Sequence, residues 1–223
     1  MQITHLGHSC LLIEAAGSRV LIDPGTFSDA GHVRDLDAIL VTHQHPDHVD
    51  PAALPQLLAD NPAVQLCLEA GAADTVAAAE PQLGEQISRM QRGSAIELGD
   101  LRVTPVGERH ALIHDFVPRI DNLGLVVQAE GEPTLFHPGD ALDAQDDALQ
   151  QVDLLCVPVN APWARVADTV SFARRIAPGR VIPIHDRLLN DTGRTMYLGH
   201  IERFGAEGGL EVLDLRDRGP VEF

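Results

Sequence analysis

Apolar positions along this chain come in short runs, not in long periodic stretches. Residues 3–6, 10–14 and 19–22 read as strands. Ala16-Gly17-Ser18 turns the second into the third, and Asp23-Pro24-Gly25 ends the meander. Residues 36–42 form an apolar run too short for a helix, which predicts a buried strand. Residues 51–59 read as a short helix with Asp50 as N-cap and Pro51 in its first position. A strand over 64–68, a helix over 72–79 and a hairpin over 96–106 through Gly99-Asp100 follow. A second hairpin joins 123–129 to 134–136. The pattern then predicts helices over 144–150, 166–176 and 196–204, alternating with strands over 154–159, 181–184 and 210–215. Meander strands lead into βα alternation, and this order occurs twice. Two sheets packed together with helices outside accommodate it better than one doubly wound sheet. The expectation is an α/β protein with one domain over residues 1–223.

Composition narrows the classes. The chain is 44% hydrophobic and 22% charged, as expected for a globular protein with a full core. No window approaches ~18 consecutive apolar residues, so no membrane partner is expected. The opening residues lack a basic and then apolar leader, which points to the cytoplasm. Cys10, Cys67 and Cys156 are odd in number and far apart, which argues against a disulfide framework. All 16 basic residues are Arg, against 33 acidic residues, for a net charge of −17. Without lysine, Schiff-base and P-loop chemistry are excluded. No basic run exceeds Arg174-Arg175, so no nucleic-acid partner is expected. Eleven histidines direct attention to metal chemistry.

The strongest local signal is His43-Gln44-His45-Pro46-Asp47-His48, directly after the 36–42 strand. Alternate residues of extended chain point to opposite sides, so the loop must bend for His43 and His45 to meet at one metal. Imidazole nitrogens with a few carboxylate oxygens suit Zn²⁺, and also Mn²⁺ or Fe.

This HxHxDH run resembles the signature of the metallo-β-lactamase superfamily. The resemblance runs along the whole chain. It implies a four-layered αββα sandwich of two mixed β-sheets with outer helices. It also implies a metal-dependent hydrolase with two divalent cations. The opening meander ending at Asp23-Pro24-Gly25 matches, and His110, Asp140 in Phe136-His137-Pro138-Gly139-Asp140, and His185 fall where further ligands are expected. The implied set is His43, His45 and His110 on the first metal, Asp47, His48 and His185 on the second, and Asp140 as the bridge. His114 competes with His110, which is preferred because it directly follows a strand end. Leu6-Gly7-His8-Ser9, residues 110–115 and residues 121–124 resemble the ascorbate-6-phosphate lactonase-like branch. In that branch His8 would lie beside the metals. His137 would orient a ligand, while His5, His32 and His200 read as structural.

Two divalent cations roughly 3.5–4 Å apart can turn a bridging water into hydroxide at neutral pH. The implied activity is attack of that hydroxide on a small ester, lactone or phosphodiester. Asp47, His8 and His114 are the candidates for moving the proton to the leaving group. Phe116, Trp163 and Met196 are expected on the pocket wall. Arg109, Arg119 and Arg187 are expected to hold an anionic small-molecule substrate. Alternatives are a di-iron oxidoreductase, a nuclease, or a non-catalytic metal-binding protein of the same fold. Oligomeric assembly is open.

Overall fold

Strands buried on both faces carry unbroken apolar runs, and those runs organise this chain. The computed structural model describes residues 1–223. In chain order the elements are β1 (Gln2–His5), β2 (Leu11–Ala15), β3 (Ser18–Ile22), β4 (Ala38–Val41), α1 (Leu54–Ala59), β5 (Gln65–Leu68), α2 (Ala70–Ala79) and β6 (Ile87–Arg89). The second half holds β7 (Ile96–Leu98), β8 (Leu101–Val106), β9 (Gly124–Gln128), β10 (Leu135–His137), β11 (Leu154–Pro158), α3 (Val166–Ile176), β12 (Arg180–Ile184), α4 (Asp191–Phe204), β13 (Glu211–Val212) and β14 (Val221–Glu222). They make two seven-stranded mixed sheets, ordered β14-β1-β2-β3-β4-β5-β6 and β13-β12-β11-β10-β9-β8-β7.

Alternation within each strand splits its apolar side chains between two layers. Leu11, Ile13, Val20, Ile22 and Leu40 of the first sheet meet Val103, Leu125, Leu135, Cys156 and Ile182 of the second. The opposite face of the first sheet, with Leu12, Leu21 and Ile39, packs on Leu54 and Leu57 of α1 and on Ala73 and Val76 of α2. The outer face of the second sheet packs Phe136, Leu155 and Val181 on Phe172 and Ile176 of α3 and on Ile201 of α4. The expected αββα sandwich is therefore present.

Several boundaries differ from expectation. The helix expected over 51–59 starts at Leu54, with Pro55 in its first turn and Ala53, not Asp50, at the N-cap. The Asp50 carboxylate instead accepts from Ala52 N, making a local turn. The helix expected over 144–150 is a single 3₁₀ turn, Asp147–Leu149. Its acids serve tertiary partners: Asp146 takes Gly107 N and Arg92, and Asp143 takes Arg119. The last helix starts five residues earlier than expected. Asn190 caps it by accepting from Gly193 N, and Arg194 pairs with Asp186 and Asp214, which overrides the low propensity of Gly193. β13 is only two residues long, and the edge strands β6 and β14 have little apolar signal of their own.

Strand direction places the chemistry. β1, β3 and β4 run the same way in the first sheet, as do β8, β10, β11 and β12 in the second. The histidine and aspartate motifs all follow the C-terminal ends of these strands. Gly25, in the turn after β3, lies against the backbone of the metal-motif loop. A Cβ there would sit 2.1 Å from Asp47 C and 2.4 Å from His48 N. Gly25→Ala should therefore displace that loop and lose about 1–3 kcal/mol of stability, the usual cost of overpacking. Thermal denaturation checks this, and an unchanged melting temperature would mean the loop yields freely.

Candidate metal centre

β4 ends at Val41, and from Thr42 the chain turns into the loop that carries His43, His45, Asp47 and His48. Asp23, at the end of the neighbouring β3, fixes this turn. Its Oδ1 accepts from Thr42 N (2.8 Å), and its Oδ2 accepts from Thr42 Oγ1 (2.7 Å) and from His48 Nδ1 (2.7 Å). From the second sheet, β8 leads to His110, β10 to Asp140 and β12 to His185.

Two groups of side chains result, each able to hold a metal ion. One is His43, His45, His110 and Asp140; the other is His8, Asp47, His48 and His185. Asp140 reaches both groups. Its Oδ2 lies 3.3 Å from His110 Nε2, 3.2 Å from His185 Nε2 and 3.9 Å from His43 Nε2, while its Oδ1 lies 3.1 Å from His48 Nε2. Asp140 is itself fixed by its backbone N–H, which donates to Asn122 Oδ1 (2.9 Å), and Trp163 Nε1 donates to its Oδ2 (3.2 Å).

The imidazoles show a common arrangement. His48 Nδ1 is bound to Asp23, His110 Nδ1 to Ala111 O (2.6 Å) and His185 Nδ1 to Asn160 O (2.6 Å). Thr42 Oγ1 donates to Asp23, so it accepts from His43 Nδ1 at 3.1 Å. In these four rings Nδ1 is anchored and Nε2 faces the cluster; His45 differs, its Nδ1 lying 3.1 Å from His43 Nε2. Nε2 of His48, His110 and His185 and Oδ1 of Asp140 are buried without an aligned hydrogen-bond partner. Buried unsatisfied groups cost about 1–3 kcal/mol each. Converging nitrogen and oxygen donors with this need fit divalent cations.

His8 behaves differently. Arg187 N–H donates to its Nδ1 (3.4 Å), so its Nε2 carries the proton and donates to Asp47 Oδ2 (3.1 Å). His137 also faces away from the cluster. Its Nε2 donates to Ser9 O (2.9 Å) and its Nδ1 accepts from Gly139 N (3.2 Å), which ties the first turn to the Asp140 loop.

Charge is concentrated here. Burial alone would lower the pKa of His48 and His185. The Asp140 carboxylate, joined at His48 by Asp23, outweighs burial, raising His48 well above its usual value and His185 to about 9. Burial would raise the carboxyls, yet Asp140 is held well below the usual carboxylate range by His48 and His185, and Asp47 is lowered by the His185 imidazole, 3.4 Å away, and by its hydrogen bond from His8. His43 is pushed down by burial first and by His48 second.

Other expected residues lie apart. His114 is exposed, accepts from Phe116 N (3.2 Å) and neighbours the Phe116 ring, but joins neither group. Phe116 is 91% exposed and Met196 58%, whereas Trp163 does lie against the site, its ring 5.7 Å from His110. Arg109 is paired with Asp121 and Arg119 with Asp143. Arg187 lines a cavity of about 450 Å³ beside His8. Asp23 and Asn122 position the site through bonds that join distant segments. Sequence spacing carries no such information, although Asp23 and Asn122 fall within motifs already singled out.

The layering and the histidine–aspartate centre between the sheet ends define the class as the metallo-β-lactamase fold. A profile of the beta-lactamase superfamily domain matches residues 2–185. Over 203 residues the chain is 44% identical to Protein Rv0786c of Mycobacterium tuberculosis, covering 90% of this chain and 91% of that one. It is 32% identical over 208 residues to a UPF0173 metal-dependent hydrolase of Methylobacterium nodulans, covering 83% and 84% respectively. The fold is similar to that of Igni18, a metallo hydrolase from Ignicoccus hospitalis, with a TM-score of 0.71 at 18% identity over 100% of this chain and 98% of that one. The chain belongs to the beta-lactamase superfamily and, within it, to the metal-dependent hydrolases of this fold. No helix is long and apolar enough to cross a membrane.

The raised histidines give a test of the metal-free protein. A group with a raised folded-state pKa stabilises the fold fully below its unfolded pKa and loses that contribution as pH rises through the folded one. With an ordinary value of 6.5 and a folded value of about 9 for His185, chelated protein should lose stability from about pH 6.5 to 9. Thermal melts across that window check this. A flat profile would mean His185 carries no proton there.

Proposed function

We propose that this protein is a binuclear metal-dependent hydrolase of a small ester, lactone or phosphodiester. In this reading His43, His45 and His110 hold one divalent cation. Asp47, His48 and His185 hold the other, and Asp140 bridges them. The donors suit zinc, with manganese or iron as alternatives. The observation that carries the reading is the reach of Asp140, a buried carboxylate beside imidazole nitrogens of both groups. Two such cations would supply a nucleophilic hydroxide at neutral pH and polarise the bond under attack.

The chain's own residues then have separate tasks. Asp47 is an ionised carboxylate on the rim of the site, and it collects the proton released on attack and returns it to the leaving group. His8 steers Asp47 through its Nε2–H, a role that its tautomer supports better than direct ligation. His114 takes no proton step in this arrangement, because it lies outside both groups. Among Arg109, Arg119 and Arg187, only Arg187 lacks an acidic partner, which leaves it free to meet a polar substrate group. Resemblance of the His8 and Asn122 motifs to the ascorbate-6-phosphate lactonase-like branch puts lactones first among substrates to try.

The test is a panel of lactones, esters and phosphodiesters on metal-loaded protein, with EDTA controls. Turnover should appear with metal and vanish with chelation. Elemental analysis should approach two ions per chain, and saturation at one would defeat the binuclear model. Asp140→Asn keeps the shape but removes the bridging charge. It should lose second-site occupancy and most turnover while remaining folded by circular dichroism.

His110 and His114 provide an independent check. His110→Ala should weaken metal binding by about 10-fold or more, since removing a ligand should cost at least as much as removing a group behind one. His114→Ala should leave metal content intact. Metal titration of the two variants decides the ligand, and the reverse pattern would transfer the role to His114.

A further inference from the structure

Two cavities lie beside the metal centre, one lined by His8 and the other by Ala111 and Trp163, neighbours of His110 and Asp140, and they differ in chemistry. The one beside His8 is mainly polar, with Arg187, Arg216, Asp29, Asp186 and Asp217 in its lining. The other, about 590 Å³, has Ala111, Leu112, Leu142, Trp163 and Phe172 in its wall. That volume lies in the range of small-molecule sites, and three arginines, two aspartates and Ser171 complete its lining. Its wall is continuous with the centre. Ala111 follows His110 and its N–H donates to Asp140 O (2.7 Å), while Trp163 donates to the Asp140 carboxylate.

The cavity's arginines are already engaged. Arg119 is paired with Asp143 and Arg165 with Asp168, each at 2.8 Å. Arg175 donates to the carbonyls of Ala144 and Leu142 (2.6 Å each) and lies over the Phe172 ring. Three arginines against two aspartates leave a net positive charge, in a chain whose total is −17. Leu112 lines this cavity yet remains 53% exposed, and Phe116 and Val117 on the same loop are also uncovered.

We propose that the Trp163 cavity receives an apolar chain or ring belonging to a neutral or anionic substrate, and that it excludes cationic ones. Treating the occupant as substrate rests on the hydrolase reading above; the binding site itself does not. Apolar side chains form the floor, and the net positive charge repels an ammonium group. The polar cavity beside His8 takes the other part of the molecule.

Trp163 is the single tryptophan, so its fluorescence reports on this cavity directly. Metal-loaded and chelated protein are each titrated with octanoate, acetate and octylammonium. Octanoate should give a saturable change in both forms. Acetate has the same carboxylate and would coordinate metal equally, but it should bind at least about 100-fold more weakly because it lacks the methylenes that the cavity buries. Octylammonium has the same chain and should bind at least about 10-fold more weakly than octanoate. Leu112→Asp, at an exposed position, should weaken octanoate binding by about 10-fold without changing metal content. Acetate or octylammonium matching octanoate, an unaffected Leu112→Asp, or no fluorescence response to octanoate would each overturn the proposal. If octanoate binds as expected but no ester, lactone or phosphodiester is cleaved, the hydrolase reading fails and the apolar site stands.

Discussion

A carboxylate buried at the junction of two sheets dominates this structure. Asp140 is only 2% exposed, and a buried charge is tolerated only where opposite charge or hydrogen bonds compensate it. Here the compensation comes from four imidazoles on three separate segments, His43 and His48 after β4, His110 after β8 and His185 after β12. Much of the surrounding architecture serves to keep Asp140 in place. Gly139 adopts a φ of +58, and a Cβ there would lie 2.5 Å from Asn122 Oδ1 and 2.7 Å from Thr42 Oγ1. Asn122 spans the same turn by donating to Pro138 O (2.9 Å) and accepting from Asp140 N. Glycine is the residue that fits so close an approach at a positive φ.

The centre also depends on backbone held away from its preferred conformations. His8, Asp23 and His185 have φ values of 54°, 50° and 59°, in the left-handed region that ordinary residues rarely adopt. Such conformations cost on the order of 1 kcal/mol or more and persist where surroundings over-determine them. The surroundings do so here. His185 N–H donates to His8 O (2.9 Å), linking the two sheets, and Asp23 N–H donates to Leu40 O (2.9 Å). His137 adds a second link between the sheets through Ser9 O. The geometry of the histidine–aspartate cluster is thus a property of the interface between the sheets, and either sheet alone would carry only part of it.

Electrostatics at the centre run against the charge of the whole chain. Most arginines are committed to acids or carbonyls on the surface, while the buried histidines compete for protons with Asp140 and Asp47. The raised His48 and His185 supply positive charge that the carboxylates require, and a cation bound in their place would release those protons. Anchoring Nδ1 of His43, His48, His110 and His185 keeps Nε2 inward, since a ring free to rotate could satisfy itself locally.

Much of this was readable from residue order. Residues 36–42 read as a buried strand because so short an apolar run suits a strand better than a helix, and β4 occupies 38–41 of it. The HxHxDH spacing then set His43, His45, Asp47 and His48 at a strand end whatever the tertiary fold. Local signals failed where distant partners competed with them. Residues 144–150 look helical, but Asp143 and Asp146 bind Arg119, Arg92 and Gly107 N instead. The last helix begins at Asp191 because Arg194 is drawn to Asp186 and Asp214. The same limit applies at the site. Composition and spacing could nominate His8, His110 and His114 alike. Only the folded chain puts a backbone N–H on His8 Nδ1, brings His110 beside Asp140 and leaves His114 outside, because those outcomes depend on which strand ends meet across two sheets.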